Sequence, residues 1–283
     1  MNIRVAGIQM GAIGSKEENV AKAEEMLEHL VTLDLKPQFV CLPEMFSYTP
    51  NLKDEFEAID KVAEEIDGPI QEMFSAYAKK LKAHIITGSY ILKRNGKHYN
   101  TSLLIAPDGN LSAQYSKTHL FDTPDFKESW FITPGDRLVV IDTPCCRIGM
   151  IICYDIRFPE LLKTLALAGA EVIFCPAAFP IAGVSPGVDH WETLTRAAGL
   201  QNMVYLVAIN QIGFRSPFYY FGRSVIVDPW GIELAKAANK ECIISAELDL
   251  DYLREMRKER DVFAHRRPDL YNLELQAPSF SLE

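Results

Sequence analysis

Three side chains with the chemistry of a nucleophile, a base and a cation lie where apolar runs give way to polar residues. Cys153 is the thiol in the run IICYD, Glu44 is the carboxylate in LPEMF, and Lys117 is the ammonium in YSKTH. A thiol nucleophile needs a base that accepts its proton, and a cation or N–H donors that stabilise the developing oxyanion. We therefore interpret the three positions as parts of one site for nucleophilic attack.

Each of the three residues also has an ordinary structural interpretation. A cysteine is often a small buried hydrophobe, a glutamate at a strand end is often solvated, and a lysine often extends past apolar neighbours to water. Cys153, however, ends a predicted strand that opens into a helix near Pro159. This is the edge of an α/β sheet where ligands commonly bind. The strand-end position that all three share favours the catalytic interpretation.

Helical and strand patterns alternate from one end of the chain to the other. Strands are predicted at 3–10, 39–42, 85–91, 99–106, 111–115, 138–141, 148–152, 172–175, 204–209 and 241–248, with a hairpin around 228–231. Helices are predicted after the Ser15–Glu18 capping box, over 67–82, 159–168 and 190–202, and after Asp249. The pattern predicts one layered α/β domain over residues 1–283. Residues 262–283 are polar and irregular, which indicates either an arm on a partner subunit or a loose tail.

Composition narrows the class of protein. A net charge of -9 and a pI near 5.3 argue against general affinity for nucleic acid or anionic membranes. The N-terminus lacks a secretory signal pattern, and no apolar run has the length of a membrane span. The six cysteines show no paired metal-type spacing. We expect a protein of the reduced cytoplasm, which suits a catalytic thiol.

The motifs LPEMF, YSKTHLFD and CYDIRFPE, in this order, resemble those of the nitrilase superfamily of carbon–nitrogen hydrolases. The resemblance extends from VAGIQM at 5–10 to RRPDLY at 266–271. It implies a four-layer α-β-β-α sandwich, homodimers, no metal and no organic cofactor. It also implies that Glu44, Lys117 and Cys153 form a catalytic triad. Glu128 matches a second glutamate of the family, which would orient the lysine or steer the substrate.

The resemblance implies a thioester mechanism. Glu44 accepts the Cys153 proton, the thiolate attacks a small amide, and Lys117 with the backbone N–H of Tyr154 stabilises the oxyanion. Glu44 returns the proton to the departing ammonia, and water activated by Glu44 then releases the acid.

Within the superfamily, DTPCCRIGM, CYDIRFPE and His190–Trp191 look like the omega-amidase branch. That branch hydrolyses the terminal amide of short dicarboxylic monoamides such as 2-oxoglutaramate and succinamate. The chain departs from that branch in the 180–189 loop, which is longer and lacks threonine. It also has Ala198 and Gln201 where the branch commonly has arginine and glutamate. The loop matters more than the two helix positions, because we expect it to line the acyl pocket and therefore to affect specificity.

Other substrates and another class of protein stay open. The same triad would serve a deaminated-glutathione amidase, an N-carbamoyl amine hydrolase or a general aliphatic amidase, and a catalytically silent sandwich would serve as a binding or scaffold protein. A substrate carboxylate needs a cation or N–H donors. The candidate substrate-binding residues are Tyr48, Arg157, His190, Trp191 and Arg196. Arg157 has a structural alternative, pairing with Asp155 or Glu160, and His190 and Trp191 have one in helix packing.

Overall fold

The computed structural model describes residues 1–50, 58–181 and 187–271. Its six helices within these ranges are α1 (Lys16–Thr32), α2 (Ile59–Val62), α3 (Pro69–Leu81), α4 (Pro159–Leu167), α5 (Gly187–Asn202) and α6 (Leu250–Glu259). The predicted capping box begins α1: the Ser15 hydroxyl accepts from the Glu18 N–H, and the Glu18 carboxylate accepts from the Ser15 N–H. Asp249 caps α6 in a similar way, by accepting from two backbone N–H groups.

The first sheet has seven strands. In chain order they are β1 (Asn2–Gln9), β2 (Phe39–Cys41), β3 (His84–Ile86), β4 (Tyr90–Arg94), β5 (Lys97–Ile105), β6 (Leu111–Ser116) and β16 (Cys242–Asp249). Their spatial order is β16-β1-β2-β3-β5-β4, and β6 also pairs with β5. β1, β2 and β3 are parallel, so their carboxyl ends lie at one edge of the sheet.

The second sheet has six strands in the order β15-β14-β11-β9-β8-β7. They are β7 (Val139–Asp142), β8 (Arg147–Met150), β9 (Val172–Ala177), β11 (Tyr205–Asn210), β14 (Val225–Val227) and β15 (Glu233–Lys236). A small third sheet consists of β10 (Pro180–Ile181), β12 (Ile212–Arg215) and β13 (Phe218–Phe221). β8, β9 and β11 are parallel, which places the residue after β8 at the same edge as the ends of β9 and β11.

The two large sheets pack face to face between outer layers of helix. Phe39 of the first sheet contacts Phe174 of the second, with ring centroids 5.4 Å apart. Leu27 of α1 and Phe74 of α3 belong to a second apolar cluster on the outer face of the first sheet. α4 and α5 contribute apolar side chains to the cluster around the second sheet. This confirms the predicted α-β-β-α sandwich.

One predicted strand, at residues 85–91, is divided into two by a bend at Gly88. Residues 85–91 form the end of β3 and the start of β4, because the chain bends at Gly88, whose φ is +73°. A Cβ on Gly88 would lie 2.1 Å from the Pro43 carbonyl oxygen, so only glycine fits. The Ser89 N–H donates to this oxygen, and the Ser89 hydroxyl accepts from the Met45 N–H. The bend therefore fixes the loop that carries Glu44.

The chain continues after α6 in a series of turns. Phe263 lies under the guanidinium of Arg257, at 5.3 Å, and packs against the apolar core. The rest of the predicted C-terminal arm, residues 272–283, lies outside the described residues. In the part of the chain that the structure describes, no helix combines the length and the apolar character that crossing a bilayer requires.

Candidate active site

Strand ends bring the predicted catalytic residues together. Glu44 follows β2, Lys117 follows β6, and Cys153 lies beyond β8. The Lys117 N–H donates to the Asn100 carbonyl oxygen at 2.9 Å, which holds the start of the lysine loop against β5. All three residues line one cavity.

Glu44, Asn100, Lys117 and Glu128 form a buried polar cluster. Lys117 Nζ donates to Glu44 Oε1 and to Glu128 Oε2, both at 2.8 Å. Asn100 Nδ2 donates to Glu44 Oε1 at 2.8 Å and to Glu128 Oε1 at 2.9 Å. The three charged side chains are at most 5% exposed, and Asn100 is 0% exposed. Each carboxylate is therefore held by a cation and by the same amide.

Backbone donors complete the coordination of both carboxylates. Glu44 Oε2 accepts from the Ala178 N–H at 2.7 Å, and Glu128 Oε2 accepts from the Phe121 N–H at 2.8 Å. The hydrogen bond from the Phe121 N–H acts to lower the pKa of Glu128. The Glu44 main chain is fixed as well, because its carbonyl oxygen accepts from Gln211 Nε2 at 2.7 Å. Hydrogen bonds to both its side chain and its main chain therefore fix the position of Glu44.

Burial and the two carboxylates set the protonation states in the cluster. Burial acts to lower the pKa of Lys117, but the negative charges of Glu128 and Glu44 outweigh burial and raise that pKa well above its usual range. Burial raises the pKa of Glu128, and the charge of Glu44 adds to this while Lys117 opposes it. Lys117 thus stays an ammonium across the neutral range, whereas Glu128 takes up a proton more readily than an exposed glutamate.

The thiol of Cys153 is held in its neutral form. Burial raises the pKa of Cys153 well above its ordinary value, and the charge of Glu44 raises it further, while Lys117 acts to lower it. The pKa of Cys153 also rises because the thiol hydrogen-bonds Glu44, which brings acid and base within reach of proton transfer. The arrangement suits a nucleophile that loses its proton to Glu44 as the sulfur attacks.

Cys153 stands on a strained turn. Its φ is +47°, a left-handed conformation that a residue with a Cβ seldom adopts, and it begins a 3-10 helix, Cys153–Arg157, directly before α4. The turn is held by Asp155, whose carboxylate accepts from the Ile152 N–H at 2.9 Å and from the Tyr115 hydroxyl at 2.7 Å. It also accepts from the His119 N–H at 3.0 Å. Asp155 therefore joins the cysteine turn to both sides of Lys117.

A cavity of about 390 Å³ opens above the cluster. Its volume suits a small molecule. Most of its wall is apolar and aromatic, with Arg157 as a cation on the wall. The described residues that line it are Glu44, Met45, Thr49, Pro50, Lys117, Phe121, Thr123, Asp125, Phe126, Glu128, Phe131, Cys153, Tyr154, Arg157, Ala178, Phe179, Pro180, Phe218 and Tyr220.

Of the candidate substrate-binding residues, Arg157 lies on the cavity wall, and Tyr154, the predicted oxyanion donor, lies beside Cys153. The Arg157 guanidinium lies 5.1 Å from the Phe179 ring centroid and 5.9 Å from that of Tyr154. His190 Nδ1 is 3.4 Å from Arg157 Nη2, behind the wall. Asp155 pairs with the lysine loop rather than with Arg157. The guanidinium is therefore positioned by rings and an imidazole.

The other three candidates are not among the described residues that line the cavity. Trp191 is 0% exposed, donates to the Arg223 carbonyl oxygen at 2.8 Å and packs behind Phe179. Arg196 is exposed, and its Nε donates to the Gly231 carbonyl oxygen at 3.1 Å, far along α5. Tyr48 lies under the guanidinium of Arg215, at 4.8 Å from its ring centroid. The described contacts of all three are structural. Most of the 180–189 loop, residues 182–186, lies outside the described residues.

Sequence reasoning did not find Asn100, Asp155 or Gln211 as parts of the site. Asn100 and Gln211 gave a usable signal: each is an amide in or next to an apolar strand, where a polar side chain has to be satisfied. Asp155 is 0% exposed and two residues from the cysteine, a position that suits a carboxylate bracing the turn. Within the described ranges, no group of three or more His, Cys, Asp or Glu side chains is arranged to hold a metal ion.

Comparison with known proteins gives the family. The carbon–nitrogen hydrolase family matches residues 4–258. Human omega-amidase NIT2 is 36% identical over 283 residues, which cover 98% of this chain and 99% of the relative. The crystal structure of a carbon–nitrogen hydrolase from Helicobacter pylori has a TM-score of 0.88 and 28% identity, covering 96% of this chain and 98% of that one.

A second similar structure is described as a member of the nitrilase superfamily. Nit3 of Saccharomyces cerevisiae, described as a member of branch 10 of that superfamily, has a TM-score of 0.83 and 32% identity, covering 94% of this chain and 97% of that one. The predicted superfamily is thus confirmed. The chain belongs to the carbon–nitrogen hydrolases of the nitrilase superfamily, enzymes that hydrolyse carbon–nitrogen bonds other than peptide bonds.

Proposed function

We propose that this enzyme is a thiol amidohydrolase that cleaves the terminal amide of a small dicarboxylic monoamide and releases ammonia. One observation carries the proposal. A single cavity has the Cys153 thiol, the Glu44 carboxylate and the Lys117 ammonium at its base and the Arg157 guanidinium on its wall. The first three supply acyl-transfer chemistry, and the fourth supplies a cation for the far end of the substrate.

The chemical steps follow from the protonation states. Glu44 accepts the proton of the neutral thiol as the sulfur attacks the amide carbon. Lys117 and the Tyr154 N–H stabilise the oxygen that becomes negative. Glu44 then donates the proton to the nitrogen, the carbon–nitrogen bond breaks, and ammonia leaves a thioester on Cys153. Water, deprotonated by Glu44, attacks the thioester and releases the carboxylic acid and the thiol.

Recognition of the distal carboxylate falls to Arg157. Its described polar contact is the one to His190 Nδ1 at 3.4 Å, and the aromatic rings on either side leave its planar edge suited to a bidentate carboxylate. Lys117 pairs with Glu44 and Glu128 beside Cys153, so we assign it to the reacting carbonyl oxygen and not to the distal carboxylate. Human NIT2, the relative with 36% identity, is an omega-amidase, which supports a substrate with a carboxylate at the far end.

A substrate panel tests the function. Ammonia release is measured with succinamate, 2-oxoglutaramate, deaminated glutathione, an N-carbamoyl amine and butyramide, using Cys153→Ala as the blank. We expect the two dicarboxylic monoamides to have the highest kcat/KM. A higher kcat/KM for deaminated glutathione or butyramide would leave the proposed catalytic triad in place and contradict the proposed substrate. Carbon dioxide released with ammonia would indicate carbamoyl hydrolysis, and no turnover of any amide would support the silent sandwich.

We also propose that the enzyme works as a homodimer in the reduced cytoplasm. All six cysteines are free thiols. Large apolar side chains are exposed on α5 and beside β15, with Leu200 at 49%, Ile232 at 58% and Leu234 at 43%. Exposed apolar side chains in one region favour association. Light scattering during gel filtration measures the mass, and a monomer at micromolar concentration would contradict the dimer.

A further inference from the structure

Asn100 lies at the centre of the polar cluster without belonging to the predicted triad. It sits in β5, is 0% exposed, and its side-chain nitrogen contacts both carboxylates, at 2.8 Å and 2.9 Å. Its Oδ1 makes no hydrogen bond within the described part of the chain. The amide orientation is set by the two acceptors, because turning the amide over would point an oxygen at two carboxylates.

The charges in the cluster do not balance. Glu44 and Glu128 carry two negative charges when ionised, and Lys117 carries one positive charge, so one negative charge is buried in excess. Two carboxylates that share a site repel each other, and one of them then tends to hold a proton. The two N–H hydrogens of Asn100 supply donors to both carboxylates without adding a further charge.

We propose that Asn100 is a positioning residue that holds the Glu44 carboxylate towards Cys153 and shares with Lys117 the support of Glu128. Without Asn100, Lys117 would be the one side chain in the described part of the chain that donates to both carboxylates, beside the backbone N–H groups of Ala178 and Phe121. The inference rests on the proposed function, in which Glu44 is the base.

The groups that face Asn100 and Glu44 come from several elements. They are Glu44 after β2, Lys117 after β6, Glu128 in the 3-10 helix Glu128–Trp130, Cys153 on its turn, and Cys175 of β9. Burial raises the pKa of the Cys175 thiol. Arg157 faces the cavity from its wall. Of these, only Glu44 and Glu128 receive hydrogen bonds from Asn100. Replacing Asn100 therefore removes one donor from each carboxylate and raises the pH at which Glu128 becomes ionised.

The test is the pH dependence of kcat/KM in Asn100→Leu, which keeps the shape of the side chain and removes its donors. We expect the acid limb of the profile to move up by about one pH unit, since the loss of one hydrogen bond to a charged group shifts its pKa by about that amount. We expect kcat/KM at neutral pH to fall about tenfold or more. Ser102→Ala is the matched control. Ser102 is also in β5 and 0% exposed, and its hydroxyl has no partner in the described part of the chain. Its profile should match that of the wild type.

Further readouts separate positioning from folding. Circular dichroism establishes whether each variant is folded. If Asn100→Leu does not fold, Asn100→Ser supplies the same test, because the serine hydroxyl is too short to bridge both carboxylates. The rate of Cys153 alkylation by iodoacetamide should shift with pH as turnover does. An unchanged acid limb in the folded variant, or an equal shift in Ser102→Ala, would overturn the role of Asn100. Wild-type enzyme that turns over no amide would instead overturn the proposed function.

Discussion

The buried polar cluster and the cavity wall above it are built in different ways. In the cluster, charged side chains at most 5% exposed are held by hydrogen bonds of 2.7–2.9 Å from Ala178, Asn100, Phe121 and Lys117. On the wall, Tyr154 and Arg157 are half-buried and contact their neighbours through rings. The difference teaches that the proposed chemistry rests on the core of the sandwich, whereas the proposed recognition of the substrate rests on side chains that can change without disturbing that core.

The largest effect is expected in Glu44→Gln, because the variant lacks the base for both halves of the reaction. We expect kcat to fall by about 10²–10⁴-fold, the usual contribution of a general base. Glu171→Gln is the control, since Glu171 is a similarly shielded carboxylate, 12% exposed and paired with Arg254 at 2.7 Å, remote from the cavity. Steady-state ammonia release measures both. An equal fall in kcat in the two variants would show that the loss of activity is not specific to the polar cluster.

Lys117→Ala should come next. It removes an oxyanion donor, worth about 2.7–4 kcal/mol, so we expect turnover to fall roughly a hundredfold or more. It also leaves two buried carboxylates without their cation. Lys163→Ala is a suitable control, because Lys163 contacts the Gln201 carbonyl oxygen on the far side of the second sheet. Near-normal kcat in folded Lys117→Ala would exclude the lysine from the reaction.

A smaller and more selective effect is expected in Arg157→Ala. With succinamate, KM should rise by roughly 10–100-fold, since a charge-assisted hydrogen bond contributes about 1.5–3 kcal/mol. With butyramide, which lacks the carboxylate, KM should change little. Arg196→Ala is the control, because Arg196 lies on the same side of the sandwich but donates its hydrogen bond to the Gly231 carbonyl oxygen. Its KM should match that of the wild type with both amides. An equal rise in KM for the two substrates would show that Arg157 only shapes the wall.

The smallest effect at neutral pH concerns Glu128. Burial raises its pKa above the ordinary 4.5, so its carboxylate becomes protonated earlier than an exposed glutamate as the pH falls. Protonation weakens its hold on Lys117, and activity should therefore decline on the acid side with an apparent pKa above 4.5. A profile of kcat/KM from about pH 4 to 8 measures this limb. Activity that stays level down to pH 4.5 would contradict the raised pKa.

Much of the fold could be predicted because local patterns and packing agree. The Ser15–Glu18 capping box and the proline at the start of α3 and of α4 mark helix starts through backbone chemistry that depends on few distant contacts. The small sheet of β10, β12 and β13 was not predicted. Its strands are two to four residues long, too short for a period of two to be visible.

The site divides along the same line. Cys153, Glu44 and Lys117 could be named from motifs, because the proposed chemistry needs these residue types, and their strands in the two large sheets end at one cavity. An amide in an apolar strand marks Asn100 as a polar side chain that needs partners, but it does not name them, since its role exists only where Glu44 and Glu128 converge on it. Tyr48 and Arg196 are not among the described residues that line the cavity. A cation or a phenol near a motif in sequence carries no information on which way its side chain points.

In the proposed mechanism, Cys153 carries the acyl group of the substrate. Intact-mass analysis after brief exposure to succinamate, followed by peptide mapping, tests it most directly. We predict a transient succinyl adduct on the peptide that contains Cys153, lost with time in wild-type enzyme and absent from Cys153→Ala. Steady release of ammonia with the acyl group on another residue, or turnover that survives in Cys153→Ala, would contradict the account.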